Sequence, residues 1–249
     1  MIRYYYNILY DLKINYFKIF NMPSSQRDHL IYTVNEWTKQ PYTTMLGIVF
    51  NDKSVKTYVD IGANVGGVEV SLNHLGYLKQ LDKVICFEPD SDNYNFLMNI
   101  CNELKKDSNV NAEFVCYNFG VYYGKTESHV CGAGDNNVGG YFLADDKITT
   151  SRPFAVYEYD GKIFKLDEIE KYIDNEKGID FVKIDIEGGE LNLLENSVIL
   201  REKCKYMLLE WHYTPEELYK FYELNLSSHY NIIIGDTHHN QYLLKNKSL

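Results

Sequence analysis

The chain has 249 residues and a formal net charge of −10, and no Pro-, Ser- or Gly-rich linker divides it, so we expect one domain with a single good core. The acidic balance and the lack of any basic run argue against a nucleic-acid partner, because phosphate binding needs clustered Lys and Arg. The five cysteines include no C-x-x-C pair, and no secretory signal is recognised, which predicts reduced thiols in a cytoplasmic protein.

Residues 1–20 have the pattern of an amphipathic helix. Charges at Asp11 and Lys13 interrupt the apolar run that a signal peptide or a membrane span needs, so no transmembrane segment is predicted. We expect this helix to pack on the fold or at a homodimer contact. The alternative is a weak contact with a membrane surface.

A second helix is predicted over residues 26–38, and a mixed segment without a clear pattern follows up to Asp52. We therefore divide the chain into an N-terminal helical extension over residues 1–52, packed on the core, and a main domain over residues 53–249.

From Thr57 onwards, strand and helix patterns alternate. This rhythm predicts parallel strands with right-handed crossovers, and it places the loops at the carboxyl ends of the strands along one ligand-binding edge. The predicted elements are strands over residues 57–61, 83–87 and 112–117 and helices over residues 65–78 and 91–104.

The first strand ends in Asp60 and turns through Gly62, Ala63, Asn64 and Gly66 into the following helix. Glycines allow a ligand to approach the backbone, and the free N–H groups of a helix start suit electronegative ligand atoms. An acid before the first glycine repels a pyrophosphate but can bind a cation. The segment therefore favours S-adenosylmethionine, through its α-ammonium, over a dinucleotide. The alternative is a glycine turn of any α/β protein.

The second strand also ends in an acid, Glu88. An acid at this place in α/β nucleotide folds accepts hydrogen bonds from ribose hydroxyls, and we predict that role for Glu88. The alternative is a capped helix entry, because Pro89 stops the strand just before the helix.

Residues 118–165 are less regular. A short strand is predicted over residues 127–130, and the glycine-rich loop over residues 131–140 is either a lid or acceptor-binding segment or a disordered insertion.

The alternation then resumes. The predicted elements are strands over residues 181–184 and 206–212, a helix over residues 191–196, a helix from about Thr214, and strands over residues 232–234 and 242–244. His238 and His239 lie in the turn between the last two strands, where we expect solvent-facing side chains.

Four polar side chains follow two of these strands. Asp185 and Glu187 alternate along one exit segment and Glu210 and His212 along the next, so each pair can point to the same side. His212 is the natural general base by its ordinary pKa, with Asp185 or Glu210 orienting it or holding a divalent cation such as Mg²⁺ or Mn²⁺. The alternative is that Glu187 and Glu190 cap the following helix and His212 is a loop residue.

Taken together, these motifs resemble those of the FkbM-type methyltransferases, which are S-adenosylmethionine-dependent O-methyltransferases of natural-product and glycan pathways. The sequence differs from the family pattern at Gly189, where Ala is frequent, and in the loop at Asp135, Asn136 and Asn137. The motifs that carry the resemblance are Asp60-Ile-Gly-Ala-Asn-Val-Gly66, Phe87-Glu-Pro89, Leu166-Asp167, Val182-Lys-Ile-Asp-Ile-Glu-Gly-Gly-Glu190 and Glu210-x-His212.

The resemblance implies an α/β fold with a doubly wound, Rossmann-like, mostly parallel sheet of the class I methyltransferase type, with about seven strands. It implies a cofactor over the ends of the first strands and an acceptor beside the fourth and fifth. Asn118 would then lie near the adenine, unless it simply forms a turn, and Asp185 would also contact the cofactor.

We therefore predict an S-adenosylmethionine-dependent O-methyltransferase that acts on a hydroxyl of a sugar or glycan. The 23 tyrosines and 12 phenylalanines give weak support, because sugar faces stack on aromatic rings. The alternatives are methylation of a small natural product or lipid headgroup, a nicotinamide-dependent oxidoreductase, and a cofactor-binding scaffold without turnover. The missing Gly-x-Gly-x-x-Gly motif disfavours the oxidoreductase.

Overall fold

A computed structural model describes residues 23–132, 141–143, 158–174, 176–237 and 240–249. The helix predicted over residues 1–20, most of the glycine-rich loop, and both His238 and His239 lie outside the described residues.

The described helices, in chain order, are α1 Ser24–Trp37, α2 Tyr42–Asn51, α3 Gly67–His74, α4 Ser91–Leu104, α5 Glu190–Asn196, α6 Val198–Glu202 and α7 Pro215–Phe221. The strands are β1 Thr57–Ile61, β2 Lys83–Phe87, β3 Glu113–Tyr117, β4 Gly120–Val121, β5 Glu127–Gly132, β6 Tyr141–Leu143, β7 Glu158–Asp167, β8 Ile179–Ile184, β9 Cys204–Glu210, β10 Tyr230–Asp236 and β11 Gln241–Asn246.

The main sheet has seven strands in the order β10-β11-β9-β8-β1-β2-β3. The strands from β9 to β3 pair in parallel, and β11 runs antiparallel to both of its neighbours. Strand β1 lies between β8 and β2, so the chain order reverses there, which is where open α/β sheets bind ligands. The predicted doubly wound, mostly parallel sheet is confirmed.

Apolar side chains bury both faces of this sheet. One core contains residues of α1 to α4, such as Leu30, Leu46 and Leu97, and the other contains residues of α5 to α7, such as Leu193 and Leu218. Helices on both faces explain why β1, β2 and β8 are almost continuously buried. None of the described helices combines the length and the apolar character needed to cross a bilayer.

Helix α2 corrects the mixed segment that the sequence suggested before Asp52. Its β-branched residues and Gly47 lower helix propensity, so the local pattern was ambiguous. Packing decides the outcome, because Met45, Leu46 and Val49 are fully buried on one helical face. Helix α1 agrees with the prediction over residues 26–38 to within two residues.

Four described strands between residues 120 and 167 form a second sheet in the order β4-β7-β5-β6. The sequence predicted only part of β5 there and missed β7, which pairs with β5 from Glu127 and Lys165 onwards. Long-range antiparallel pairing across an irregular segment leaves little periodic signal. This second sheet contacts the main fold just after β4, where the Tyr123 N–H donates to the Asn192 side-chain oxygen of α5 at 2.8 Å.

Candidate functional site

The backbone conformation and the close packing of the turn after β1 both require glycine. Gly62 and Gly66 have φ angles of +85° and +89°, in the left-handed region that favours glycine. A Cβ on Gly62 would lie 1.9 Å from the Asp185 carbonyl oxygen, and one on Gly66 would lie 3.1 Å from Ile100 in α4. The turn is therefore packed tightly between the β8 exit and α4, with Ala63 buried and Asn64 also at positive φ.

Glu88 joins this turn to the exit of β2. Its Oε2 accepts a hydrogen bond from the Asn64 N–H at 2.8 Å, and its Oε1 accepts one from the Asp90 N–H at 2.9 Å. Burial raises the pKa of the Glu88 carboxyl to about 8, although these two hydrogen bonds lower it. The structure places Glu88 beside the glycine turn, and its contact with a ribose stays a prediction.

Asn118 braces the same loop. Its amide nitrogen donates to the carbonyl oxygens of Glu88 at 3.0 Å and Pro89 at 3.2 Å, and the Ser91 hydroxyl donates to its amide oxygen at 3.1 Å. The predicted adenine contact stays a prediction, and the observed hydrogen bonds show the loop-forming role that was its alternative.

Lys183 is a site residue that the sequence analysis missed. Its Nζ lies 3.2 Å from Asp60 Oδ1 and 3.3 Å from Asp185 Oδ2, and it donates a hydrogen bond to the Gly62 carbonyl oxygen at 2.7 Å. Burial alone would lower the pKa of Lys183, but Asp60 and Asp185 raise it above its usual value. A lysine inside an apolar strand was the available signal, because buried lysines are almost always paired.

Asp60 is fully buried at the end of β1. The Tyr58 hydroxyl donates to its Oδ2 at 2.9 Å, and Lys183 contacts its other oxygen. Within the described residues its cationic partner is therefore Lys183, and its predicted pairing with a ligand ammonium stays a prediction.

Three of the four residues predicted to be catalytic meet around the imidazole of the fourth, His212, which is 7% exposed. Nε2 lies 3.4 Å from Glu187 Oε2, 3.7 Å from Glu210 Oε1 and 3.9 Å from Asp185 Oδ1. Strand β9 ends at Glu210, so His212 lies in the exit loop and not within the strand predicted over residues 206–212. We call Asp185, Glu187, Glu210 and His212 the strand-exit cluster.

Glu190 completes this cluster, although the sequence suggested only a helix cap for it. It is fully buried, and its Oε1 lies 2.8 Å from His212 Nδ1. The same oxygen accepts hydrogen bonds from the Ile186 and Gly188 N–H groups at 3.3 and 3.2 Å. Glu190 thus fixes the ring orientation and leaves Nε2 facing the other three carboxylates.

These carboxylates shift the pKa of His212 strongly. Burial lowers it, but Glu190 and then Glu187 and Asp185 outweigh burial and raise the pKa to about 10. The protein without ligands therefore holds the imidazole protonated at neutral pH, and the ordinary histidine pKa does not apply. Burial and Asp185 raise the pKa of Glu210 to about 8.

Asp185 has the opposite shift. Burial works to raise its pKa, but Lys183 and His212 outweigh burial, so the net pKa lies below the usual value. It thus stays a carboxylate at neutral pH.

Two side chains of the N-terminal helices also act on this site. Burial lowers the pKa of His29 in α1, with Asp185 working against it. Burial raises the pKa of Tyr42 at the start of α2, and Glu210 adds to that rise. Helices α1 and α2 therefore lie close enough to the cluster for its charges to shift the pKa values of their side chains. The sequence of these helices did not indicate this proximity.

Comparison with known proteins identifies the family. The family model described as the methyltransferase FkbM domain matches residues 60–239. The chain belongs to the FkbM methyltransferase family. The matched range includes every residue of the strand-exit cluster and the whole glycine turn. The family and the class I methyltransferase fold support S-adenosylmethionine as the methyl donor.

A solved structure of the same family has a similar fold, and a second, more distant structure is reported with it. The methyltransferase FkbM from Methylobacillus flagellatus KT is 16% identical with a TM-score of 0.50, and the match covers 90% of this chain and 55% of that one. This FkbM family member therefore spans little more than half the length of that relative. TrmK of M. capricolum in complex with S-adenosyl-homocysteine is 13% identical with a TM-score of 0.40, covering 82% and 68% of the two chains. A search of curated proteins finds no match.

Proposed function

We propose that this FkbM family member transfers a methyl group from S-adenosylmethionine to a hydroxyl oxygen of a sugar or glycan. The observation that carries the proposal is the position of Lys183 Nζ. It contacts Asp60 and Gly62 of the expected cofactor turn and Asp185 of the strand-exit cluster. The Lys183 ammonium thus links the turn expected to bind the methyl donor to the cluster expected to bind the methyl acceptor.

When bound, S-adenosylmethionine supplies an electrophilic methyl group on a sulfonium. The chain must hold a hydroxyl in line with it and take up the proton as charge develops on oxygen. The acceptor hydroxyl would lose its proton to the strand-exit cluster. Its oxygen would form a bond to the methyl carbon while the bond from that carbon to the sulfur breaks, which leaves S-adenosylhomocysteine as the second product. Glu210 is placed to accept the proton in its ionised form, because its Oε1 faces the cluster while Gln241 donates to its Oε2; with a pKa of about 8, the reactive fraction of Glu210 grows as the pH rises towards 8.

A sugar acceptor is supported by the family resemblance and by the chemistry of a site rich in carboxylates, which accept hydrogen bonds from hydroxyls. A hydroxyl on a small natural product or a lipid headgroup is the alternative acceptor. We also propose a cytoplasmic location, which the free thiols of Cys86, Cys101, Cys116 and Cys204 support.

Incubation with methyl-labelled S-adenosylmethionine and a panel of sugars, glycans, natural-product alcohols and lipids tests the proposal. We expect label on a hydroxyl oxygen of a sugar, found by mass spectrometry of the product. Asp185→Asn and Glu210→Gln should each lower turnover at saturating substrates by roughly 10²–10⁴-fold. Label on a nitrogen or a carbon atom, or unchanged turnover in both variants, would contradict the proposal.

A further inference from the structure

The strand-exit cluster has the donor atoms of a metal site. One ligand atom each from Asp185, Glu187 and His212 lies within 4.8 Å of the others. His212 Nε2 is 3.4 Å from the Glu187 oxygen and 3.9 Å from the Asp185 oxygen. Two ligands about 2.1 Å from one ion are about 3.0 Å apart at a right angle and about 3.4 Å apart at a tetrahedral angle. Small closing movements therefore bring all three atoms onto one ion.

The imidazole provides an independent indication. His212 is more than nine-tenths buried, and its Nε2 has no hydrogen-bond partner among the residues that the structure describes. Without a ligand, this nitrogen meets the carboxylates only as ion pairs at 3.4 to 3.9 Å, and buried polar atoms normally make hydrogen bonds or bind a ligand. A cation that replaces the Nε2 proton would satisfy the nitrogen and the carboxylate oxygens together.

The surrounding contacts hold the ligands as metal sites usually do. A metal-binding histidine commonly donates its other ring N–H to a carboxylate, which fixes the tautomer and directs the lone pair to the metal. Here His212 Nδ1 lies 2.8 Å from the fully buried Glu190. Asp185 is oriented by an ion pair, because Lys183 contacts its Oδ2 and leaves Oδ1 facing His212.

We propose that Asp185 Oδ1, Glu187 Oε2 and His212 Nε2 bind one divalent transition-metal cation, with Mn²⁺ as the best match. Two carboxylates and one imidazole suit Mn²⁺ better than Mg²⁺ or Ca²⁺, which prefer oxygen ligands alone. Three protein ligands leave coordination positions open for an acceptor oxygen, whose developing charge the cation stabilises. That catalytic role rests on the proposed function, whereas the binding of the cation does not.

Electron paramagnetic resonance of free Mn²⁺, titrated into the chelator-treated full chain, measures this binding directly. We expect one Mn²⁺ per chain, with binding at least tenfold weaker in Glu187→Gln and His212→Gln. Glu190→Gln, which removes the carboxylate behind the ring, should weaken binding by about 10–100-fold. The control Glu113→Gln should bind like the parent, because Glu113 lies on β3 and is largely exposed beside Lys83.

Calorimetric titration with S-adenosylhomocysteine on the same samples separates the two proposals and shows that each variant is folded. Glu187→Gln is the safer variant, because its side chain is 16% exposed, whereas His212→Gln alters a buried position. A parent that binds S-adenosylhomocysteine but no Mn²⁺ overturns the cation site and leaves the methyltransferase standing. Equal Mn²⁺ binding by the parent, Glu187→Gln and His212→Gln also overturns it. A parent that binds Mn²⁺ but no S-adenosylhomocysteine supports the cation site and contradicts the proposed function.

Discussion

Glu88 illustrates how one buried carboxyl can serve both the fold and a ligand. Each of its oxygens already accepts a backbone N–H, yet each carboxylate oxygen has a second lone pair that can accept from a ribose hydroxyl. Donors to the carboxylate favour its ionised form, while burial favours its protonated form. Ligand binding and ionisation of Glu88 should therefore be linked.

Glu88→Gln should abolish a pH dependence of S-adenosylhomocysteine binding. With a Glu88 pKa of about 8, a ligand that needs the carboxylate should bind the parent about tenfold more tightly at about pH 8 than at about pH 6.5. Asp90 raises and Lys183 lowers this pKa, and both remain in the variant. In the variant, the affinity for S-adenosylhomocysteine should hardly change with pH. At the higher pH the variant should bind the ligand more weakly than the parent by roughly 1.5–3 kcal/mol.

Calorimetry at both pH values, in buffers of different ionisation heat, measures the affinity and the released proton. The same pH dependence in the parent and in Glu88→Gln would remove Glu88 from the cofactor site.

Other residues mark the limit of what the sequence could predict. Convergence of Asp185 and His212 followed from two simple facts, namely the alternation of side chains along extended segments and the shared edge of parallel strands. The pairing of Asp60 with Lys183 did not, because it depends on the register that sets them side by side on β1 and β8. The contact of Glu190 with His212 was missed because it joins the first residue of α5 to the exit loop of β9, which are 22 residues apart in sequence.

At the scale of elements, the β1 turn links cofactor geometry to packing. Its left-handed glycines let the chain reverse within a few residues, and the Gly62 N–H also donates to the Phe87 carbonyl oxygen at 3.0 Å. The turn is therefore fixed by β2 on one side and by the β8 exit on the other.

Gly62→Ala should destabilise the protein far more than Gly124→Ala, although the two glycines have nearly equal φ angles of +85° and +83°. A new Cβ at Gly124 meets nothing within 4 Å, so only the backbone strain remains, about 1–2 kcal/mol. At Gly62 the clash with the Asp185 backbone adds to that strain, and we expect a total loss above about 4 kcal/mol. Urea unfolding of both variants measures the difference. Equal losses would mean that the turn can move away from β8.

Elements with strong periodicity or clear end signals matched their predictions. Strand β1 and helix α4 have the predicted bounds, and Asp90 caps α4 by accepting the Asp92 and Asn93 N–H groups. Strand β9 ends at Glu210, two residues earlier than predicted, because its pairing with β11 ends at Glu210 and Gln241; the Trp211 N–H then donates to the Asn240 carbonyl oxygen of the adjoining turn. The second sheet was largely missed, since its strands are far apart in sequence.

At the scale of the whole molecule, α1 and α2 belong to the core of the sheet. Phe50 of α2 stacks on Tyr77 with ring centroids 4.5 Å apart and contacts the edge of Phe181 in β8 at 5.8 Å. Phe50 and Phe181 are buried in the same core. The N-terminal helices before residue 52 and the sheet after it therefore share one hydrophobic core.

Phe50→Ala should cost about 3–5 kcal/mol of unfolding free energy, as for the loss of a large buried side chain. The control Leu224→Ala, at a position that is 74% exposed, should change stability by less than about 0.5 kcal/mol. Urea unfolding followed by circular dichroism should show a single transition in both variants. A separate early transition in Phe50→Ala would mean that the N-terminal helices unfold independently of the sheet.

Thermal unfolding of the full chain with S-adenosylhomocysteine, and in parallel with NAD, tests the central claim most directly. A ligand at about 100 times its Kd stabilises the folded state by about 2.7 kcal/mol. For a chain of this length that predicts a rise in Tm of roughly 5–10 °C with S-adenosylhomocysteine and none with NAD. A rise with NAD and none with S-adenosylhomocysteine would contradict the assignment of this site to a methyl donor.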